Sequence, residues 1–354
     1  MTRMRLFLAL GALALIATLS TRAGTPPRAY TVLAPITHGN LTIFPVVAAE
    51  THDTGQFLTL DEGVRSGEVV VSEAGRVLPL IRRREPQPPP RSSGGAEVNR
   101  LVLLNNSDRP LLLLAGEIVT GGKQDRVIGK DRIVPAHSDP IDLNVFCVEP
   151  GRWTGASDKF GSLHVQMAQP SVRAKAMAEK DQQQVWAEVR RSTASMNAAV
   201  AGAPPASTTS YAQTMAAPSV QREVDRIAAP VEHDYQGIIG ELRRRNAVGV
   251  VAAVNGQIVW ADLFASPALL EKYWPKLVRS YAAEAVVAGG GGNSPTQRAA
   301  QEFLEQLGGR RQIVESEPGI FSHSEIIGAG YEVFQLTSLL PKTGFEIHLA
   351  KMAD

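Results

Sequence analysis

Between Tyr30 and Trp153 the chain alternates short apolar runs with turn residues: TVLAPI, LTIFPVVAAE, EVVVSEA, RLVLLNN, RPLLLLAGEIV, RVIGKDRIVP and LNVFCVE. Runs of this length, bounded by Gly, Pro, Asn and Asp, predict β-strands. Thr59 and Glu62 form a T-x-x-E capping box, which predicts a brief helix through Asp61 to Arg65. Each strand must bury one face against another layer, so the set predicts an antiparallel sandwich or barrel-like part. Arg82 to Gly95, RRREPQPPPRSSGG, interrupts the pattern with charge and three consecutive prolines and reads as an exposed insertion.

Beyond Trp153 the period changes. Val172 to Val200 contains no Gly or Pro and is rich in Ala, Glu, Gln, Lys and Arg, which predicts one helix with a narrow Ala/Met/Val stripe. Ala201 to Ser219 reads as a flexible Ala/Pro/Ser/Thr connector. Val220 to Asn246 is expected to be helical. VGVVAAVNGQIVWADLF then offers two strands joined by Asn255-Gly256, the two-residue signal of a type I′ hairpin. Ser266-Pro267 opens a further helix, in which Leu270, Tyr273, Trp274, Leu277, Val278 and Tyr281 repeat at helical spacing. Ser294, Pro295 and Gln297 predict a second capping box, ended by Gly308-Gly309. Gly289 to Gly292 reads as a hinge. RQIVES, YEVFQLTS and FEIHLA are expected to be strands. The fold class predicted is α+β: an antiparallel β-sandwich or barrel-like part, residues 28–154 with the insertion at 82–95, a helix and connector over 155–219, and a mixed helix/strand lobe over 220–354.

Ahead of these lies an apolar run from Leu6 to Leu19, preceded by Arg3 and Arg5 and followed by Thr21-Arg22-Ala23. This is the pattern of a secretory signal peptide, residues 1–23, too short to span a bilayer. A periplasmic or secreted protein without a membrane span after cleavage is therefore expected. The whole chain has 36 Lys+Arg against 35 Asp+Glu, a formal charge of +1, and losing Arg3, Arg5 and Arg22 with no acid takes it to −2. With aromatics at 6%, nothing predicts nucleic-acid binding. An exported protein also lacks a supply of ATP or reduced nicotinamide, so no cofactor is expected. The single Cys147 makes no internal disulfide, and no His/Cys spacing predicts a metal site.

Chemistry-bearing residues are densest in Ala115 to Ser138 and Phe146 to Trp153: Glu117, Lys123, Gln124, Asp125, Arg126, His137, Cys147, Glu149, Arg152 and Trp153. The run Gly121-Gly122-Lys123 is not a P-loop, because Gly116 is one position too far upstream, Gln124 stands in place of Ser/Thr, and strand-like sequence follows. No G-x-S-x-G elbow occurs. Cys147 between Phe146 and Val148 reads as a buried small hydrophobe, against the alternative of a nucleophile served by His137 and Glu149. His323 and His348 read as surface or core-edge histidines.

The wording GEIVTGGKQDRV, IVPAHS and CVEPGRW resembles a domain family of unknown function named for its association with ADP-ribosylglycohydrolase and rhodanese-phosphatase proteins. The resemblance extends more weakly through ADLFASPALLEKYWPKLVRSYAAEA to FEIHLA. Asp125 stands where the family's GxKQNR-like core is expected to carry an amide. The association implies a link to nucleotide-derived or ADP-ribose-type metabolism.

Two physical readings of the cluster follow. In one, Lys123, Gln124, Asp125, Arg126, Arg152 and Trp153 bind an anionic small molecule, with the Gly121-Gly122 backbone approaching the anion and Trp153 stacking on a planar ring. In the other, Glu117, Arg126, Glu149 and Arg152 satisfy one another across strands. Two further function classes stand beside ligand binding: a hydrolase using Glu117 and Glu149, and an envelope scaffold docking a protein partner through the proline-rich insertion or the connector. The site readings all require that the stretches around Arg126 and Cys147 fold against each other so that their polar tips converge on a shared, water-accessible recess.

Overall fold

The computed structural model describes residues 30–73, 100–122, 124–150, 159–202 and 209–354. Residues 1–23, read as a signal peptide, the insertion at 82–95, Lys123, Arg152 and Trp153 lie outside the described residues.

In chain order the strands are β1 Tyr30–Val32, β2 Ile36–His38, β3 Leu41–Ala48, β4 Leu58–Thr59, β5 Val69–Glu73, β6 Arg100–Asn105, β7 Leu111–Leu113, β8 Glu117–Gly121, β9 Arg126–Ile128, β10 Arg132–Val134, β11 Ile141–Cys147 and β12 Lys159–Met167. After the helical middle come β13 Ala247–Val254, β14 Gln257–Phe264, β15 Arg310–Glu317, β16 Phe321–Ile327, β17 Tyr331–Ser338 and β18 Glu346–Ala353. The helices are α1 Leu60–Ser66, α2 Pro170–Ala174, α3 Gln182–Ala199, α4 Tyr211–Ala216, α5 Pro218–Gly237, α6 Ile239–Arg244, α7 Pro267–Ala288 and α8 Gln297–Glu305. The α+β class and the barrel-like N-terminal part are both present.

Six strands close into an antiparallel barrel in the order β11-β6-β5-β12-β8-β9. Alternate residues point inward, so Val71, Leu103, Val119, Ile128, Val145 and Phe160 form its interior cluster. The small sheet β10-β7-β4 and the capping-box helix α1 contribute Leu111, Leu113, Val134 and Leu60 to the same cluster and cover one end. Thr59 and Glu62 make the predicted reciprocal cap, and Gly67 ends α1 in the left-handed region.

The second layer is a nine-stranded sheet running β1-β3-β13-β14-β18-β17-β16-β15, with β2 on β3. Strand β3, from the stretch read as part of the first lobe, pairs with β13, so the two halves of the chain share this sheet. Asn255 and Gly256 both have positive φ, as the type I′ hairpin requires. Helix α7, capped by Ser266 with Pro267 in its first turn, buries Leu270, Tyr273, Trp274, Leu277 and Tyr281 against it.

Three expectations need correction. The helix over 172–200 is broken: a π-helical turn, Lys175–Glu179, leads to Lys180 at φ 53°, and Asp181 caps a new helix. Part of the connector is ordered as α4, capped by Ser210, because Tyr211 is buried and its hydroxyl accepts from the Gln169 N–H at 3.2 Å. The cap of α8 is Thr296, while Ser294 turns to hydrogen-bond Thr42 at 2.9 Å. The glycine run is anchored at its two ends, where Asn40 and Asn255 side chains donate to the Gly289 carbonyl and a Cβ on Gly292 would meet Asn255 O at 2.5 Å, whereas a Cβ on Gly291 would meet nothing within 4 Å.

Candidate functional site

Strands β9 and β11 pair with Val145 opposite Ile128 and Cys147 opposite Arg126. Arg126 and Cys147 each lie two residues beyond an inward-facing side chain, and Glu73 lies two beyond Val71. All three therefore face the barrel interior at the end away from the small sheet. The Nη2 atom of Arg126 stands 4.0 Å from Glu73 Oε1. The two stretches of the motif thus converge.

The backbone around this end is held by the motif's own side chains. Gly121 N–H donates to Asp125 Oδ1 at 3.1 Å, Asp125 N–H donates to Glu149 Oε2 at 2.8 Å, and the Gln124 side chain donates to the Glu149 carbonyl at 3.1 Å. Asp125 therefore uses carboxylate oxygens as acceptors here, a task an amide oxygen performs as well. Gly122 has φ 55°, and a Cβ there would meet Glu73 Oε1 at 2.6 Å, so the turn needs glycine on both counts. Beyond Cys147 the strand is pinned by Gln182, which accepts from the Cys147 N–H and donates to its carbonyl, both at 2.9 Å.

Arg126 is fully buried. Its Nη1 donates to the Gln124 carbonyl at 2.6 Å, whereas Nε and Nη2 have no hydrogen-bond partner. A buried guanidinium with unsatisfied N–H groups on two of its nitrogens is costly unless something accepts from them. Cys147 is buried beside it. Burial pushes the thiol up to about 12, against the opposing pull of Arg126, and Glu73 and Glu149 add to the rise. A thiol held protonated is no nucleophile, and His137, its imagined base, instead pairs with Asp108 on an exposed loop at 2.6 Å. The packing role for Cys147 fits this geometry.

Glu117 does not join the cluster. It is the first residue of β8, and Gly121, at the Arg126 end, is the last, which places them about 13 Å apart along the strand at ~3.3 Å per residue. Its Oε1 accepts from Lys276 at 2.8 Å, its Oε2 accepts from the Leu114 N–H at 2.8 Å, and Asp61 flanks the same ammonium. Burial raises the Glu117 carboxyl against the pull of Lys276, while the two carboxylates outweigh burial and keep Lys276 charged. Glu117 and Glu149 thus serve separate networks at different ends of one strand.

Sequence reasoning missed a buried charge network that joins barrel, sheet and helix. Arg173 of α2 meets Asp262 of β14 in a two-pronged pair, and the Tyr281 hydroxyl also donates to Asp262. His348 of β18 bridges Asp262 at 3.2 Å and Asp131, beside β10, at 2.5 Å, and Asp131 also accepts from the Ala115 N–H at 2.7 Å. His348 is therefore neither at the surface nor at the core edge, and His323 is likewise buried. The available signal was a lone charge inside an apolar strand, as in VWADLF and FEIHLA. With His348 protonated the four groups balance, which is why they tolerate full burial.

Among the described residues, no group of three or more His, Cys, Asp or Glu is placed to hold a metal ion. No helix among them is long and apolar enough to cross a membrane. The family model of the ARG and Rhodanese-Phosphatase-superfamily-associated Protein domain matches residues 29–336, a span that holds every motif segment above except FEIHLA. No curated protein and no solved structure matches the chain.

Proposed function

We propose that this chain, which belongs to the ARG and Rhodanese-Phosphatase-superfamily-associated Protein domain family, binds a small anionic molecule at the Arg126 end of its barrel. The observation that carries the reading is the unsatisfied Nε and Nη2 donors of the buried Arg126, beside the glycine turn at Gly121-Gly122. A phosphate or carboxylate oxygen accepts from such donors in the fork geometry that a guanidinium offers. In this reading Lys123 and Arg152 add charge, Trp153 stacks on a planar ring, and Gln124, Asp125 and Glu149 hold the frame. A nucleotide-derived or ADP-ribose-like ligand unites an anion with a ring, which is why that class stands first.

The test is a thermal-shift screen of nucleotides, ADP-ribose, sugar phosphates and cell-wall fragments on the purified protein and on Lys123→Ala and Arg152→Ala. A ligand that raises the melting temperature of the parent, with the rise lost in variants whose own melting is unchanged, supports the site. A rise of equal size in all three proteins removes it. Export is part of the same proposal and rests on Arg3, Arg5 and the Leu6 to Leu19 run. Cell fractionation with N-terminal sequencing checks it, and the expected mature chain starts at Gly24.

A further inference from the structure

Strand β15 ends the nine-stranded sheet and, among the described residues, has one strand neighbour, β16. Its sequence is RRQIVESE, with Ile313 68% and Val314 41% exposed, two adjacent apolar side chains on a sheet edge. Edges are normally covered or shortened, or charged as β15 is at Arg310, Arg311, Glu315 and Glu317, because their outward N–H and C=O groups recruit another strand. The opposite edge of the same sheet is managed in that way. There, Gln301 of α8 accepts from the Val32 N–H and donates to the Tyr30 carbonyl, while Gln297 donates to the Val32 carbonyl.

We propose that β15 is a self-association edge, pairing antiparallel with β15 of a second copy of this chain about a two-fold axis between Ile313 and Val314. The strand is complementary to its own reverse. That register sets Arg310 of one copy opposite Glu317 of the other, Gln312 opposite Glu315, and Ile313 opposite Val314, twice over by symmetry. The bulge makes the register possible. Facing residues of two antiparallel strands must both direct their backbone groups at the partner, so in a regular strand a residue pairs only with one an even number of positions away. Arg310 and Glu317 are seven apart. The ladder with β16 slips between Ile313 and Glu315, leaving Val314 as the extra residue, so Arg310 and Glu317 direct their backbone groups to the same side.

Within the chain Glu317 is held by Arg132 at 3.2 Å, so the second copy's Arg310 would complete a charge-alternating row. A single strand pair buries little area, and the expected dimer is a weak one, formed at micromolar concentration.

Sedimentation velocity on the full chain, from low to high micromolar, tests the proposal. Expected is a reversible monomer–dimer equilibrium that Ile313→Lys abolishes and that Arg310→Glu and Glu317→Arg each weaken about tenfold. Mixing those two single variants restores association, because each mutant charge then faces its opposite. Circular dichroism and a melting curve for each variant confirm that they remain folded; Arg310 and Ile313 are exposed, whereas Glu317→Arg also removes the intrachain pair with Arg132. A parent monomeric throughout, a dimer indifferent to Ile313→Lys, or a mixture no tighter than its components each overturns the proposal.

Discussion

Arg173 and Asp262, 89 positions apart, meet through two parallel hydrogen bonds of 2.9 Å with both side chains fully buried. The guanidinium also lies 4.4 Å from the centre of the Trp260 ring. Removing one partner leaves the other charged and dry, so Asp262→Asn is expected to lower unfolding free energy by about 3 to 5 kcal/mol. Replacing both partners, as Arg173→Met with Asp262→Leu, should cost less than the sum of the Arg173→Met and Asp262→Leu losses measured singly. Urea titration of the four proteins checks this, and additive losses would show that the pair is not coupled.

Gly116 explains one letter of the family motif. It sits at φ 95°, and a Cβ there would lie 2.6 Å from Arg173 Cγ. Gly116→Ala therefore meets both backbone strain and overlap with an immovable side chain, and a loss of at least about 2 kcal/mol is expected. A melting temperature equal to the parent's would mean that Arg173 has room to move aside.

His348 gives stability a slope in mild alkali. Burial alone would lower its pKa from the ordinary 6.5, but the Asp131 and Asp262 carboxylates raise it to about 9. The folded state thus holds this proton more tightly than the unfolded chain does. Its contribution is complete below pH 6.5 and disappears as pH rises through about 9, a change of roughly 3 kcal/mol. Lys351, buried and lowered by that burial to about 8, acts in the opposite sense, adding stability as pH rises above that value. The difference between the parent and His348→Gln, measured by urea unfolding at each pH, isolates the histidine. It should shrink steadily from pH 6.5 to 9.5, and a constant difference would show that His348 is not protonated in the fold.

Much of this architecture was legible because local signals agreed with tertiary demands. The Thr59/Glu62 cap, the Asn255-Gly256 hairpin and the Ser266-Pro267 helix start are all satisfied by neighbours in sequence, and all three are present. The pairing of β9 with β11 was one of two conditions for a site, and the geometry meets it, while Gln124, Arg126, Cys147 and Glu149 are buried where the second condition asks for a water-accessible recess. What stayed hidden depends on distant partners. Asp262 and His348 look like isolated polar residues in apolar strands until the fold lays His348 beside Asp131, 217 residues away. Glu117 looked like a member of the motif's cluster by proximity along the chain, yet Lys276 claims it from α7. The break after Glu179 had no Gly or Pro to announce it, because the chain turns on a lysine at positive φ. No sequence signal marked β16 either; FSHSEII mixes polar residues at buried positions, and only its flanking strands make it a strand.

Cys147 reports on access to the Arg126 end. With its thiol pushed up to about 12 and its side chain buried, only about one molecule in ten thousand carries a thiolate at pH 8. Iodoacetamide should therefore label the native protein at least about a thousandfold more slowly than the urea-unfolded chain. The modest opposing pull of Arg126 sharpens the experiment, since Arg126→Lys keeps the charge but loses the fork and should leave native labelling slow. Labelling of the native protein at the rate of a free thiol would show that the barrel end opens to solvent on the reaction timescale, and the packing role assigned to Cys147 would then fall.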